Sequence, residues 1–216
     1  MKLVLVAHGT RDPRGGLVTA ETAAMLQSYV DVPVVVAYAD VVQPDVTSVL
    51  DGPAVVVPAF LASGYHVRVD IPAQIASSGR SDVVLTRPLG PDPLVVEAVR
   101  DRLRAAGHRP GDALVLAAAG SSDARALADV RVAARLLGAS AVGYVATASP
   151  RVPGVVDGLR GRRVAVASWL LAPGAFHGSL AECGADVVSE PIGAHPLVVD
   201  VLLRRYHEAL EHRRAA

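Results

Sequence analysis

The chain has 216 residues, 51% hydrophobic but only 4% aromatic, enough for one large or two small cores built mainly from valine, leucine and alanine. Twenty-one basic residues balance 21 acidic ones without a basic block, which argues against a nucleic-acid partner, and the lone Cys183 excludes an internal disulfide or a paired-thiolate metal site and fits a reducing compartment. No cationic leader precedes the first apolar run, and no run approaches the ~18 apolar residues of a membrane span, so a soluble cytoplasmic protein is expected.

Lys2–Ala7 is an uninterrupted apolar run that predicts a parallel strand buried on both faces. His8 then lies where the strand leaves the sheet at its carboxyl end, the place where open α/β folds hold their ligands. His8–Gly16 contains Asp12-Pro13 and Gly15-Gly16 and reads as a turn, with a helix over Leu17–Val30. Val34–Ala37 is a second strand, followed by Asp40 in the loop before Pro44 and at most a short helix at Val46–Leu50. Ala54–Pro58 is a third strand leading into the loop Ala59–Asp70, and Pro72 suits the first turn of the next helix. Val83–Thr86 is a fourth strand, and Leu94–Ala106 a helix that stops at Gly107. This alternation implies a parallel sheet with helices on both faces, an α/β fold.

The pattern then repeats. Leu114–Asp123 lines up with Leu3–Asp12, placing Gly9 on Gly120 and Asp12 on Asp123. Phe60–Gly64 answers Leu170–Gly174, and Pro88–Glu97 returns as Pro191–Asp200. Three matches in the same order indicate a duplicated domain, with halves at 1–109 and 110–216 and a boundary in the polar stretch Gly107–Asp112. The copies are chemically unequal, because Ala119 stands where the first half has His8 and Phe176 where it has His66.

A four-stranded doubly wound unit in the order 2-1-3-4 has its switch point between strands one and three. His8 and His66 would then converge on one crevice, with Asp40 on the other flank of strand one. Two neutral imidazoles suit a borderline divalent ion such as cobalt, nickel, iron or zinc. A resident catalytic zinc usually takes three protein ligands, so two histidines helped by a carboxylate suit an ion held loosely and handed on. His108, His207 and His212 lie in a linker or on an arginine-rich terminal helix and read as solvated, His195 as a turn residue, while His177 stays open as a contact from the second half. No Gly-x-x-x-x-Gly-Lys follows a strand, which argues against nucleotide use. Ala7, not arginine, precedes His8, which argues against a histidine phosphatase.

Ala7–Arg14 (AHGTRDPR) and Gly64–Pro72 (GYHVRVDIP) resemble the two signature loops of the sirohydrochlorin chelatases, the CbiX-type members of the ATP-independent class II chelatases, related in fold to ferrochelatase. The second half resembles the family's degenerate repeat, so the likeness spans nearly the whole chain. It implies two tandem flavodoxin-like halves, each a four-stranded parallel sheet, the degenerate one forming the opposite wall of a cleft. It further implies insertion of a divalent ion (cobalt, iron or nickel, as substrate) into sirohydrochlorin, on the way to cobalamin or sirohaem, with no tightly bound cofactor. His8 and His66 match the family's metal-site histidines, and Asp40 falls near a position that often holds glutamate. Arg11, Arg14 and Arg68 would fork onto the substrate's peripheral carboxylates, with backbone N–H groups around Gly9, Thr10, Ser63 and Gly64 adding anion contacts. His8, His66 and Asp40 are thus the expected catalytic residues, and Thr10, Arg11, Arg14, Ser63, Arg68 and His177 the expected substrate contacts. A tetrapyrrole is the expected partner, with neither nucleic acid nor membrane, and fusion of the halves permits a monomer. The alternative is a tetrapyrrole- or metal-binding protein that does not catalyse insertion.

Overall fold

A computed structural model describes residues 1–215. It contains two four-stranded, all-parallel sheets. The first has β1 (Lys2–Ala7), β2 (Val34–Tyr38), β3 (Ala54–Pro58) and β4 (Val83–Leu85) in the order β2-β1-β3-β4. The second has β5 (Ala113–Ala118), β6 (Ala141–Tyr144), β7 (Val164–Trp169) and β8 (Val187–Val188) in the order β6-β5-β7-β8. Both orders are the expected one, so β1 and β3 flank the switch point of the first sheet.

Successive residues of a strand point to opposite faces, and Leu3, Val4, Leu5 and Val6 are all fully buried, which requires cover on both sides of β1. Val4, Val6, Val56 and Ile71 share one of these cores with Ala37 and Val46. The second sheet has its counterpart in Val115, Ala117, Val164 and Val166 with Val152 and Leu180.

The first helix, α1 (Pro13–Gln27), starts four residues before the expected Leu17. Asp12 caps it by accepting the Arg14 N–H, and Pro13 occupies the first turn, where a missing donor costs nothing. Gly15 and Gly16, expected as breakers, lie inside this capped first turn. The second half repeats the device: Asp123 accepts the Arg125 N–H and caps α5 (Ala124–Leu137). In the loop Ala59–Asp70, residues His66–Asp70 form a π-helical turn that runs directly into α3 (Ile71–Ser77), so the last five residues of that loop are helical and not irregular. Isolated π turns of this kind recur at functional sites.

The compact units are drawn differently from the sequence halves. One consists of Met1–Gly90 with Ala194–Ala216, the other of Pro91–Gly193. Helix α4 (Pro93–Ala105) follows β4 in sequence but packs on β7 and α5, whereas α8 (Pro196–Ala215) packs on β3 and α1. Equivalent arginines secure both helices: Arg102 of α4 donates to the Ile192 carbonyl at 2.8 Å, and Arg205 of α8 to the Pro88 carbonyl at 3.1 Å. Arg205 is 2% exposed, so its guanidinium exchanges water for carbonyl and carboxylate partners, Glu208 among them. Among the described residues no helix is long and apolar enough to cross a membrane.

Candidate metal and proton-transfer site

Three short loops at the carboxyl end of the first sheet carry the site. β1 delivers His8, and the ladder to β2 continues past both strands: Ala39 N–H donates to the Ala7 carbonyl at 2.9 Å, and Asp40 N–H to the His8 carbonyl at 3.1 Å. These two bonds hold Asp40 beside His8. On the other flank, Ala59 N–H donates to the Val6 carbonyl at 2.8 Å, after which the loop leads to His66.

Gly9 makes the approach possible. Its φ of +96° is a left-handed conformation that favours glycine, and a Cβ there would lie 2.2 Å from the Asp40 carbonyl oxygen. Gly120 has the same φ, and a Cβ on it would lie 2.6 Å from the Ala146 carbonyl oxygen. The backbone of the site is therefore duplicated, while its ligands are not. Ala119, Ala146 and Phe176 stand in the second unit where the first has His8, Asp40 and His66.

The His8 and His66 rings stand edge to face, with centroids 4.6 Å apart at 90°. One potential ligand atom from each of His8, Asp40 and His66 lies within 4.8 Å of the others. A metal bonded at about 2.1 Å to each of three donors sets them roughly 3–4 Å apart, so modest side-chain rotation brings this set onto one ion. Phe60 lies 6.3 Å from the His8 ring and 6.2 Å from the His66 ring, an apolar neighbour to both.

The partners of the two rings determine which nitrogen each has to offer. His8 Nδ1 is 2.9 Å from the Gly9 carbonyl oxygen, which can only accept, so Nδ1 is the donor and Nε2 carries the lone pair. His66 Nδ1 is 2.6 Å from Asp70 Oδ2, with the same consequence. His8 and Asp40 are exposed and His66 is half-buried, so the donors are open to an incoming ion.

Asp70 was not among the residues expected from sequence. The available signal was its spacing of four from His66, which places the two on one face of a helical turn. Gln74 was also missed. Its Nε2 donates to the Ala39 carbonyl at 2.9 Å and its Oε1 accepts the Val46 N–H at 2.9 Å, tying α3 to the Asp40 loop. No feature of the sequence marks it.

The expected substrate contacts divide by location. Arg11 is exposed on the His8 loop, and Arg68 is exposed on the π turn with Ser63 half-buried nearby in sequence. Thr10 has a turn-forming task, since its hydroxyl accepts the Asp12 N–H at 3.1 Å. Arg14 forks onto Asp12 through Nε at 3.1 Å and Nη2 at 2.7 Å while staying exposed, and these bonds hold the Asp12 carboxyl below the usual carboxylate range. His177 belongs to the other compact unit, where its ring Nε2 lies 3.1 Å from the Ser189 carbonyl oxygen.

Comparison with known proteins bears on the family and the fold. The CbiX family model matches residues 2–106 and again residues 113–209. The sirohydrochlorin cobaltochelatase of Methanothermobacter thermautotrophicus is 28% identical over 130 residues, covering 48% of this chain and 91% of that protein. The chloroplastic sirohydrochlorin ferrochelatase of Arabidopsis thaliana is 30% identical over 124 residues, covering 51% of this chain and 55% of that protein. Among solved structures, the sirohydrochlorin chelatase SirB from Bacillus subtilis subspecies spizizenii in complex with cobalt superposes with a TM-score of 0.79 at 25% identity, over 99% of this chain and 97% of that one.

Proposed function

This chain belongs to the CbiX family, and we propose that it inserts a divalent metal ion, cobalt(II) or iron(II), into sirohydrochlorin without ATP. The observation that carries this reading is the convergence of His8, Asp40 and His66 in the half whose sequence retains all three.

Insertion takes up one dication and releases two pyrrole protons, so charge balances without redox change or nucleotide hydrolysis. A partly dehydrated ion must be presented, two protons must be accepted, and the macrocycle must be bent so that its lone pairs face the ion. Two neutral imidazoles and one carboxylate suit a borderline dication, and three protein donors leave further coordination positions for pyrrole nitrogens. With both Nδ1 atoms committed, each ring has Nε2 for the ion or for a proton. The strain of bending is met by binding energy elsewhere on the macrocycle. Arg11, Arg14 and Arg68 would supply part of it by gripping peripheral carboxylates, with the donors Arg14 does not spend on Asp12. The backbone N–H groups of Gly9, Thr10 and Ser63 would add to that grip, whereas the Gly64 N–H, expected to join them, donates to the Ala62 carbonyl at 3.0 Å. Free cobalt or iron is thus a substrate, and one chain carries both copies of the fold.

Absorbance spectra of sirohydrochlorin with cobalt(II), recorded with and without the protein, test the proposal. Metallation well above the spontaneous rate is expected. A rate equal to the spontaneous one would leave only a binding protein. Repeating the measurement with iron(II) and nickel(II) assigns the preferred ion.

A further inference from the structure

We propose that Asp70 is a positioning residue that fixes the tautomer of His66, and so determines which ring nitrogen the site can use. The consequence for metallation rests on the function proposed above; the tautomer itself does not.

His66 and Asp70 are the first and last residues of the π turn, four apart, and the ring Nδ1 lies 2.6 Å from Asp70 Oδ2. A carboxylate has no proton to give, so the contact requires the proton on Nδ1. The lone pair of the neutral ring is then confined to Nε2. Both groups are partly exposed, with side chains 30% and 27% accessible, so water competes for the ring and only the carboxylate makes one tautomer dominant. His8 reaches the same tautomer through the Gly9 carbonyl, a backbone group that no side-chain substitution removes. The two imidazoles therefore offer the same nitrogen for different reasons, and only that of His66 depends on a replaceable partner. Carboxylates behind metal-binding histidines act in this way generally, and their loss typically costs 10–100-fold in metal affinity. Asp70 makes no capping bond to the helix that follows, so replacing it leaves α3 without a lost partner.

The test uses the intact protein labelled with 15N-histidine, free of metal, at a pH where the rings are neutral. Long-range 1H–15N correlation spectra distinguish a proton on Nδ1 from one on Nε2. Wild-type His66 should show the proton on Nδ1, Asp70→Ala a mixture, and Asp70→Glu a return toward wild type, while His8 stays unchanged in all three. Asp70→Asn is the sharper variant, because its amide can donate to Nδ1 and move the lone pair there. Circular dichroism verifies that each variant is folded. Cobalt(II) titration followed by visible absorption should show binding weakened 10–100-fold in Asp70→Ala and largely restored in Asp70→Glu. A wild-type His66 with its proton on Nε2, or a tautomer indifferent to Asp70→Ala, would overturn the inference. So would cobalt binding that is unchanged when the tautomer shifts. Failure of catalysis alone would count against the proposed function and leave the spectra to decide the role of Asp70.

Discussion

Gln74 donates its side-chain N–H to the carbonyl of Ala39, the residue immediately before Asp40, at 2.9 Å. The donor sits on α3, one turn beyond Asp70, so a single amide joins the segment that carries His66 to the loop that carries Asp40. The distance between two of the three site residues is thereby held by a side chain that touches neither. Gln74→Ala should strand the Ala39 carbonyl and the Val46 N–H, costing about 1–3 kcal/mol, and should raise the KM for metal more than it lowers kcat. Gln74→Glu keeps the acceptor for Val46 but sets a carboxylate oxygen against the Ala39 carbonyl, so it too should lower stability in urea unfolding and retain the KM effect.

His8→Ala and His66→Ala should each lower the metallation rate by roughly 10²- to 10⁴-fold, the range expected for losing a proton-transfer group. Both residues lie beyond the strands, so far-ultraviolet circular dichroism should be unchanged. His177→Ala, in the other unit, should have a smaller effect on turnover. Near-wild-type rates in either of the first two variants would refute the site assignment.

Asp40 has two tasks that substitution can separate. Its carboxylate lies with the imidazoles, and its Oδ1 accepts the Val41 N–H at 2.7 Å, supporting Val41 at a φ of +70°. Left-handed backbone is costly for a β-branched residue. Asp40→Asn keeps the acceptor and removes the charge, so it should raise the KM for metal by roughly tenfold, about 1.4 kcal/mol, with little loss of stability. Asp40→Ala should do both, and comparing steady-state kinetics with thermal unfolding across the pair separates the contributions.

Gly9→Ala and Gly120→Ala form a matched experiment. Each places a Cβ against a carbonyl oxygen and forces a left-handed φ on alanine, so each should destabilise the protein by about 1–3 kcal/mol. Only Gly9→Ala pushes against the residue that bears a site carboxylate. It alone should weaken cobalt(II) binding measured by absorption at a temperature where both variants are folded.

The strands, their order and the duplication were legible in sequence because buried parallel strands read as unbroken apolar runs and a repeated turn leaves its glycine and aspartate in register. Gly9 with Asp12 and Gly120 with Asp123 are such marks, and both pairs occupy the predicted turns. Helix starts were less legible. Asp12-Pro13 reads, like Gly15-Gly16, as part of a turn, whereas in the folded chain Asp12 caps the helix and Pro13 opens it. Thr10 and Arg14 show the opposite limit: residue type suggested ligand contacts, whereas their nearest partner is the cap residue Asp12.

The sequence alone marked His8, Asp40 and His66 as candidates, because imidazole and carboxylate groups after apolar strands are local features that a linear reading captures. Only the tertiary structure decided how they meet: that His8 and His66 stand edge to face, that Asp40 is carried alongside by the extended β1–β2 ladder, and that Asp70 and Gln74 stand behind them. It also decided where the last helix of each half packs, a choice made by apolar faces and by the carbonyls that Arg102 and Arg205 reach. The physical reason is common to all of these. Periodicity reports which face of an element is buried, whereas hydrogen bonds between residues distant in the chain depend on distances that exist only once the sheet has brought its loops together.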